Sequence, residues 1–150
     1  MRKVLRVIGV LWVVGVFGFM AYDFTFYAPE AKRAMQALEV EASVVNPPPH
    51  SHVSRSATHK TRSALVSYTY STSTEMSYPE LRTYYDAQLV AHGWTFVREQ
   101  SDRAWGKDLG GTSAYYRKGA YTARLQFAGA KANYDWTYSL DYSWGMHSSD

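Results

Sequence analysis

The stretch VIGVLWVVGVFGFMAY, Val7–Tyr22, runs for sixteen residues without a charge, directly behind the basic start MRKVLR. At about 1.5 Å per helical residue it reaches about 24 Å, and counting Val4 and Leu5 brings it toward a hydrocarbon core of about 30 Å. Arg6 can snorkel to the headgroups, and Phe24, Phe26 and Tyr27 follow as an interfacial belt. A cleaved signal peptide needs small residues at the −3 and −1 positions. A cut after Ala21 places Phe19 at −3, and a cut after Ala28 is followed by Pro29. Residues 1–27 therefore read as an uncleaved signal anchor that enters the bilayer through Val4–Tyr22. The positive-inside rule predicts a single-pass protein with a cytoplasmic N-terminus. In a bacterial cell the anchor then lies in the inner membrane, and the C-terminal part is periplasmic.

The net charge of +3 invites a nucleic-acid reading, which the distribution of charge removes. Arg2, Lys3 and Arg6 supply the whole excess, and from residue 62 onward nine basic residues meet nine acidic ones. A neutral domain lacks the basic surplus that phosphate neutralisation needs, so no nucleic-acid partner is expected. The chain has no cysteine, which excludes disulfides, thiolate chemistry and cysteine-based zinc sites.

Residues 28–42, APEAKRAMQALEVEA, carry Ala31, Ala34, Met35, Leu38 and Ala42 at helical spacing behind Pro29. This predicts a short stalk helix that continues the membrane helix or packs lightly on the domain or a partner. Residues 43–61 follow with three prolines and many Ser, Thr and His residues, the composition of an extended linker. Such a linker reaches about 60 Å at about 3.1 Å per residue. His50, His52 and His59 fall in it, and a solvated linker offers no shell to orient metal ligands, so neither a metal nor a cofactor is expected.

Residues 62–146 predict an α+β domain, followed by a tail over 147–150. SALVSYTYSTS alternates as a first strand. SYPELRTYYDAQLVAHG is a helix, with Ser77 and Glu80 as a capping box, Pro79 in the first turn and Gly93 beyond the end. Strands are predicted at 94–100, 112–118, 121–127 and 134–144. The order β-α-β-β-β-β gives two layers, one helix on an antiparallel sheet of about five strands. Within this region YYDAQLVAHGWTFV resembles a helix-to-strand pattern of small secreted or membrane-anchored bacterial domains, a helix ending Leu-x-x-x-Gly-Trp, over roughly Pro79–Val97. The resemblance implies the fold alone and carries no site residue with it.

The last strand places Tyr134, Trp136, Tyr138, Leu140, Tyr142 and Trp144 on one face. One helix is too short to cover it, so Trp136, Tyr138, Leu140 and Tyr142 read as core, with Tyr134 and Trp144 as contact residues at the ends. The stretch Ser101–Gly111 reads as a long flexible connection, with Trp105 as an aromatic anchor beside Arg103 and Lys107. Arg124, Asp135 and Asp141 read as a polar sheet face with cross-strand ion pairs. No nucleophile, metal-protease or phosphate-loop signature is present, and Asp135 and Asp141 are too far apart on one strand for a glycosidase pair, so no catalytic residues are expected. The expectation is a membrane-anchored extracytoplasmic module that binds a protein partner without catalysis, an immunity or inhibitor protein being one form of it. Two other readings remain open: an accessory subunit held in a membrane complex by its helix and stalk, and a cell-wall glycan-binding module.

Overall fold

A computed structural model describes residues 2–72, 76–104, 107–129 and 131–145. The apolar start forms α1 (Arg2–Tyr22), which passes through a π-helical turn (Asp23–Tyr27) into α2 (Ala28–Ser43) without leaving helical geometry. In the π turn the Ala28 N–H donates to the carbonyl of Asp23, five residues back. The Thr25 hydroxyl donates to the Ala21 carbonyl at 2.7 Å. The helical run Leu11–Ser43 is long and apolar enough to cross a membrane, and none of its apolar window is buried within the protein. Leu11, Trp12, Val14, Phe17 and Phe19 are each 60–71% exposed.

Behind the helices stand six antiparallel strands, not about five: β1 (Ser51–Lys60), β2 (Ser63–Thr72), β3 (Thr95–Ala104), β4 (Lys107–Lys118), β5 (Tyr121–Phe127) and β6 (Tyr138–Gly145). Their order across the sheet is β1-β2-β6-β5-β4-β3. The extra strand comes from the stretch expected to be linker. Ser51–Lys60 pairs residue for residue with β2, from Ser51 opposite Thr72 to Lys60 opposite Ser63. Only residues 44–50, around the three prolines, remain irregular. Hydroxyl and histidine side chains do not prevent pairing, because the ladder is made by the backbone.

α2 is likewise part of the fold. Its alanine stripe, Ala31, Ala34, Leu38 and Ala42, is buried against β2, β6 and β1. Small side chains let this helix lie close to a sheet face that is itself crowded with aromatics. Two helices, not one, therefore cover one face. α3 (Tyr78–Ala91) supplies Leu81, Tyr85 and Leu89 to the same core. The start of α3 is capped as the sequence predicts: Ser77 N–H donates to Glu80 Oε2 at 2.9 Å, and the Ser77 side chain accepts the Glu80 backbone N–H. Gly93, with φ of 82°, ends it.

Register divides every strand into two faces. Ala64, Val66, Tyr70, Ala114, Tyr116, Ala123, Leu125, Tyr138, Leu140 and Tyr142 all face the helices and are at most 3% exposed. The rings interlock there: Tyr70 stacks on Tyr138 at 4.6 Å, and Trp94 meets Tyr142 edge-on at 5.6 Å. The opposite face carries no helix among the described residues.

Two further expectations change. β6 begins at Tyr138, so Tyr134 and Trp136 lie in the connection from β5, and Trp136 is half-buried and outside the core. The two rings stack on each other at 4.9 Å with 3° between planes. Thr137 N–H donates to Tyr70 C=O at 2.8 Å and starts the pairing that β6 continues. The expected mobile loop Ser101–Gly111 is mostly hairpin, with Asp102 opposite Gly111, Arg103 opposite Asp108 and Ala104 opposite Lys107. Trp105, its expected anchor, lies outside the described residues.

Candidate functional site

The sheet has two distinct ends. At one, Arg62, in the turn between β1 and β2, reaches Asp23 of the π turn with a 2.6 Å ion pair. Its guanidinium also lies 4.4 Å from the Tyr27 ring and 5.7 Å from that of Phe19. The bond to Asp23 raises the pKa of Arg62 against a smaller opposing effect of desolvation. This anchor end also holds the β4–β5 turn and Gly145, at which a Cβ would collide with the Arg62 carbonyl. The far end holds the β3–β4 hairpin tip, the start of β1 and the connection 128–137.

That connection is clamped to β4. Lys131 N–H donates to Leu109 C=O of β4 at 3.3 Å, and Ala128 N–H closes the connection on itself by donating to Thr137 C=O at 2.9 Å. Gly129 has φ of 84° and lies so close to Gly110 that a Cβ there would strike its backbone. The clamp holds Asp135 and Trp136 over the far ends of β1 and β2. There they close an open cavity of about 320 Å³ with His52, Ser54, Thr69 and Ser71.

The uncovered sheet face is polar and bonded within itself. Asp141 accepts from Ser67 at 2.5 Å, from Arg124 at 2.7 Å and from Ser139 at 3.3 Å. Ser113 donates to Asp102 at 2.6 Å, Gln100 donates to the Tyr115 hydroxyl at 3.0 Å, and Arg98 lies 4.8 Å from the Tyr115 ring. The expected Arg124–Asp141 pair is present, while Asp135 belongs to the connection and not to this face. Groups that already satisfy one another must lose those bonds before they can hold a ligand.

The helix face offers little acid–base chemistry. Burial pushes the phenols of Tyr70, Tyr85, Tyr116, Tyr138 and Tyr142 upward. A proton-transfer group would instead be drawn toward neutral pH. Tyr85 and Tyr138 share a hydrogen bond of 3.1 Å, which satisfies buried hydroxyls without freeing either. Among the described residues no group of three or more His, Asp or Glu side chains is arranged to hold a metal ion. His52 and His59 are exposed on β1, on opposite faces of the sheet.

The residues singled out from sequence do not gather at one place. Arg103 and Lys107 are exposed at the hairpin tip, and Tyr134, 47% exposed, belongs to the same far end. Trp144 sits opposite Ala64 and Tyr121 at the anchor end, half-buried against the core. Sequence reasoning passed over Asp23 and Arg62, visible in it only as charges in a tally. It also passed over the cavity, whose lining is assembled from β1, β2 and the connection. Comparison of the chain with protein-family models, with curated proteins and with solved structures finds no match.

Proposed function

We propose that this chain is a single-pass membrane protein of the bacterial inner membrane whose head, on the periplasmic side, binds another protein and performs no catalysis. The observation that carries the reading is the unbroken path from α1 through the π turn into α2. The helix that enters the bilayer is also the helix that buries Leu38 and Ala42 beneath the sheet. The head is therefore held at a set height and orientation, with Arg62 fastened to Asp23 at its base. That arrangement suits presentation of the far end and the β1 edge to a partner, and it replaces the 60 Å leash expected of a linker. The apolar stripe on which an accessory-subunit reading relies is turned onto the protein's own sheet. Of the two rings a glycan reading would use, Trp144 is half-buried against the core, and Trp105 lies outside the described residues. An immunity or inhibitor protein remains the specific form that fits a small head of this kind.

The test is photo-crosslinking of the intact chain in its native membrane from head positions and from Val14 in α1. Crosslinks to another protein from the head support the binding module. Crosslinks from Val14 alone favour a membrane-complex subunit and reject it.

A further inference from the structure

The two edges of the sheet are treated differently. β3 is broken by register shifts at Phe96/Arg98 and Asp102/Arg103. Side chains of α3 also reach over it: Arg82 lies 4.4 Å from the Phe96 ring, and Tyr78 donates to Glu99 at 2.7 Å. Bulges and covering side chains are the usual means of blunting an edge. β1 has no register shift along its ladder, and α2 meets it through Glu39 at Arg55. Its ten residues pair with β2 without a shift, contain no proline or glycine, and are exposed from His52 to Lys60. Its charges are Arg55, paired with Glu39 of α2, and Lys60 at its last position. Every second residue of such a strand turns its N–H and C=O away from β2, so the free edge is a row of donors and acceptors matched to an extended backbone.

The cavity stands at the far end of this same edge. Among its lining residues are the acidic Asp135, the aromatic Trp136, His52 and the hydroxyl-bearing Ser54, Thr69 and Ser71. A carboxylate beside an indole favours a cationic side chain, through ion pairing and the ring quadrupole. We propose that β1 takes an added strand, an extended segment of another protein chain that seats a lysine or arginine in the His52–Asp135–Trp136 cavity. This rests on the head being the binding part of the molecule. Backbone pairing supplies the affinity and the cavity supplies the choice of sequence.

A second copy of this chain is the wrong occupant for reasons of symmetry. β1 runs from the far end to the anchor end, so antiparallel pairing with its own copy places the two α1 helices at opposite ends of the joint sheet. One bilayer cannot accept both. Parallel pairing about a two-fold axis along the strands sets each N–H against the same N–H of its copy, and no ladder forms.

The experiment places a benzophenone amino acid at Ser54 and Ser56 on β1, at Gln126 and Ser143 on the open face, and at Val14, in the intact chain in native membranes. The crosslinked peptides are sequenced. The expected result is that Ser54 and Ser56 join positions two apart in one segment of a different protein. A synthetic peptide of that segment then protects β1 amides from hydrogen exchange in nanodisc-held protein. Methylating alternate peptide nitrogens weakens it by about tenfold or more, and Asp135→Asn weakens it by about fivefold. Crosslinks from Gln126 or Ser143 but not from β1 leave the head as the binding part and overturn strand addition. Crosslinks from Val14 alone, or none from the head, overturn both. A β1-to-β1 crosslink, or an N-methylated peptide that binds as well as the parent, also overturns strand addition.

Discussion

Leu38→Ala separates a stalk that merely spaces the head from a helix that belongs to it. Leu38 lies on α2 and is 0% exposed, packed in the cluster that holds Val66, Leu125 and Tyr142. Removing a fully buried leucine side chain to its Cβ costs about 2–5 kcal/mol, the transfer term plus the cavity left under a sheet that relaxes only partly. A core built on two helices and six strands has a total stability of about 5–15 kcal/mol, so the loss is a large share of it. For a domain of this size each 1 kcal/mol moves the midpoint by about 4–8 °C, so the variant should melt at least about 8 °C lower. The control is Val40→Ala on the same helix, where Val40 is 66% exposed, with an expected change within about 0.5 kcal/mol. Both variants are unfolded in mild detergent, with Trp94, 2% exposed against Tyr142, as fluorescent reporter of the head. If Leu38→Ala and Val40→Ala unfold at the same midpoint, α2 is a spacer and the continuity argued above is wrong.

Arg62→Gln should leave thermal stability nearly unchanged, since the Arg62 end of its ion pair is open to solvent screening. It should broaden the distance distribution between spin labels at Lys60 and Val14 of α1, and an unchanged width would show that Arg62 does not hold the head to α1. Gly129→Ala forces a side chain into φ of 84° and onto Gly110, so the head should lose about 1–3 kcal/mol or more in urea unfolding, whereas a neutral result would mean the connection has room to move. The raised phenols of Tyr70, Tyr85, Tyr116, Tyr138 and Tyr142 make stability complete below the ordinary tyrosine pKa of 10.0, and it is lost as pH rises past that value toward their folded pKa values. Absorbance of phenolate should therefore show these five tyrosines ionising only on unfolding, and a single titration of all the phenols near the ordinary value would refute their burial.

Elements written in local periodicity or short-range chemistry are legible in the chain alone. The apolar run of α1, the Ser77–Glu80 box that starts α3, Gly93 that ends it, and the alternation of β2, β4 and β5 are all read within a window of a few residues. Each of these is stabilised chiefly by neighbours in the chain or by one buried face. The buried face of β6 from Tyr138 to Tyr142 belongs with them. Its start does not, because Thr137 joins the sheet through Tyr70, and Gly129 against Gly110 turns Tyr134 and Trp136 out of it.

The other elements depend on pairing between distant segments. β1 has almost no apolar alternation, so SHVSRSATHK looks like linker until β2 offers it a ladder; backbone hydrogen bonds carry no signature in side-chain pattern. The alanine stripe of α2 reads as a stalk that continues the membrane helix or packs lightly on the domain or a partner, and the sheet opposite it makes it part of the core. The far-end cavity and the Arg62–Asp23 fastening each join residues tens of positions apart. Their chemistry exists only once register and chain path have brought them together, and neither is a property of any single segment.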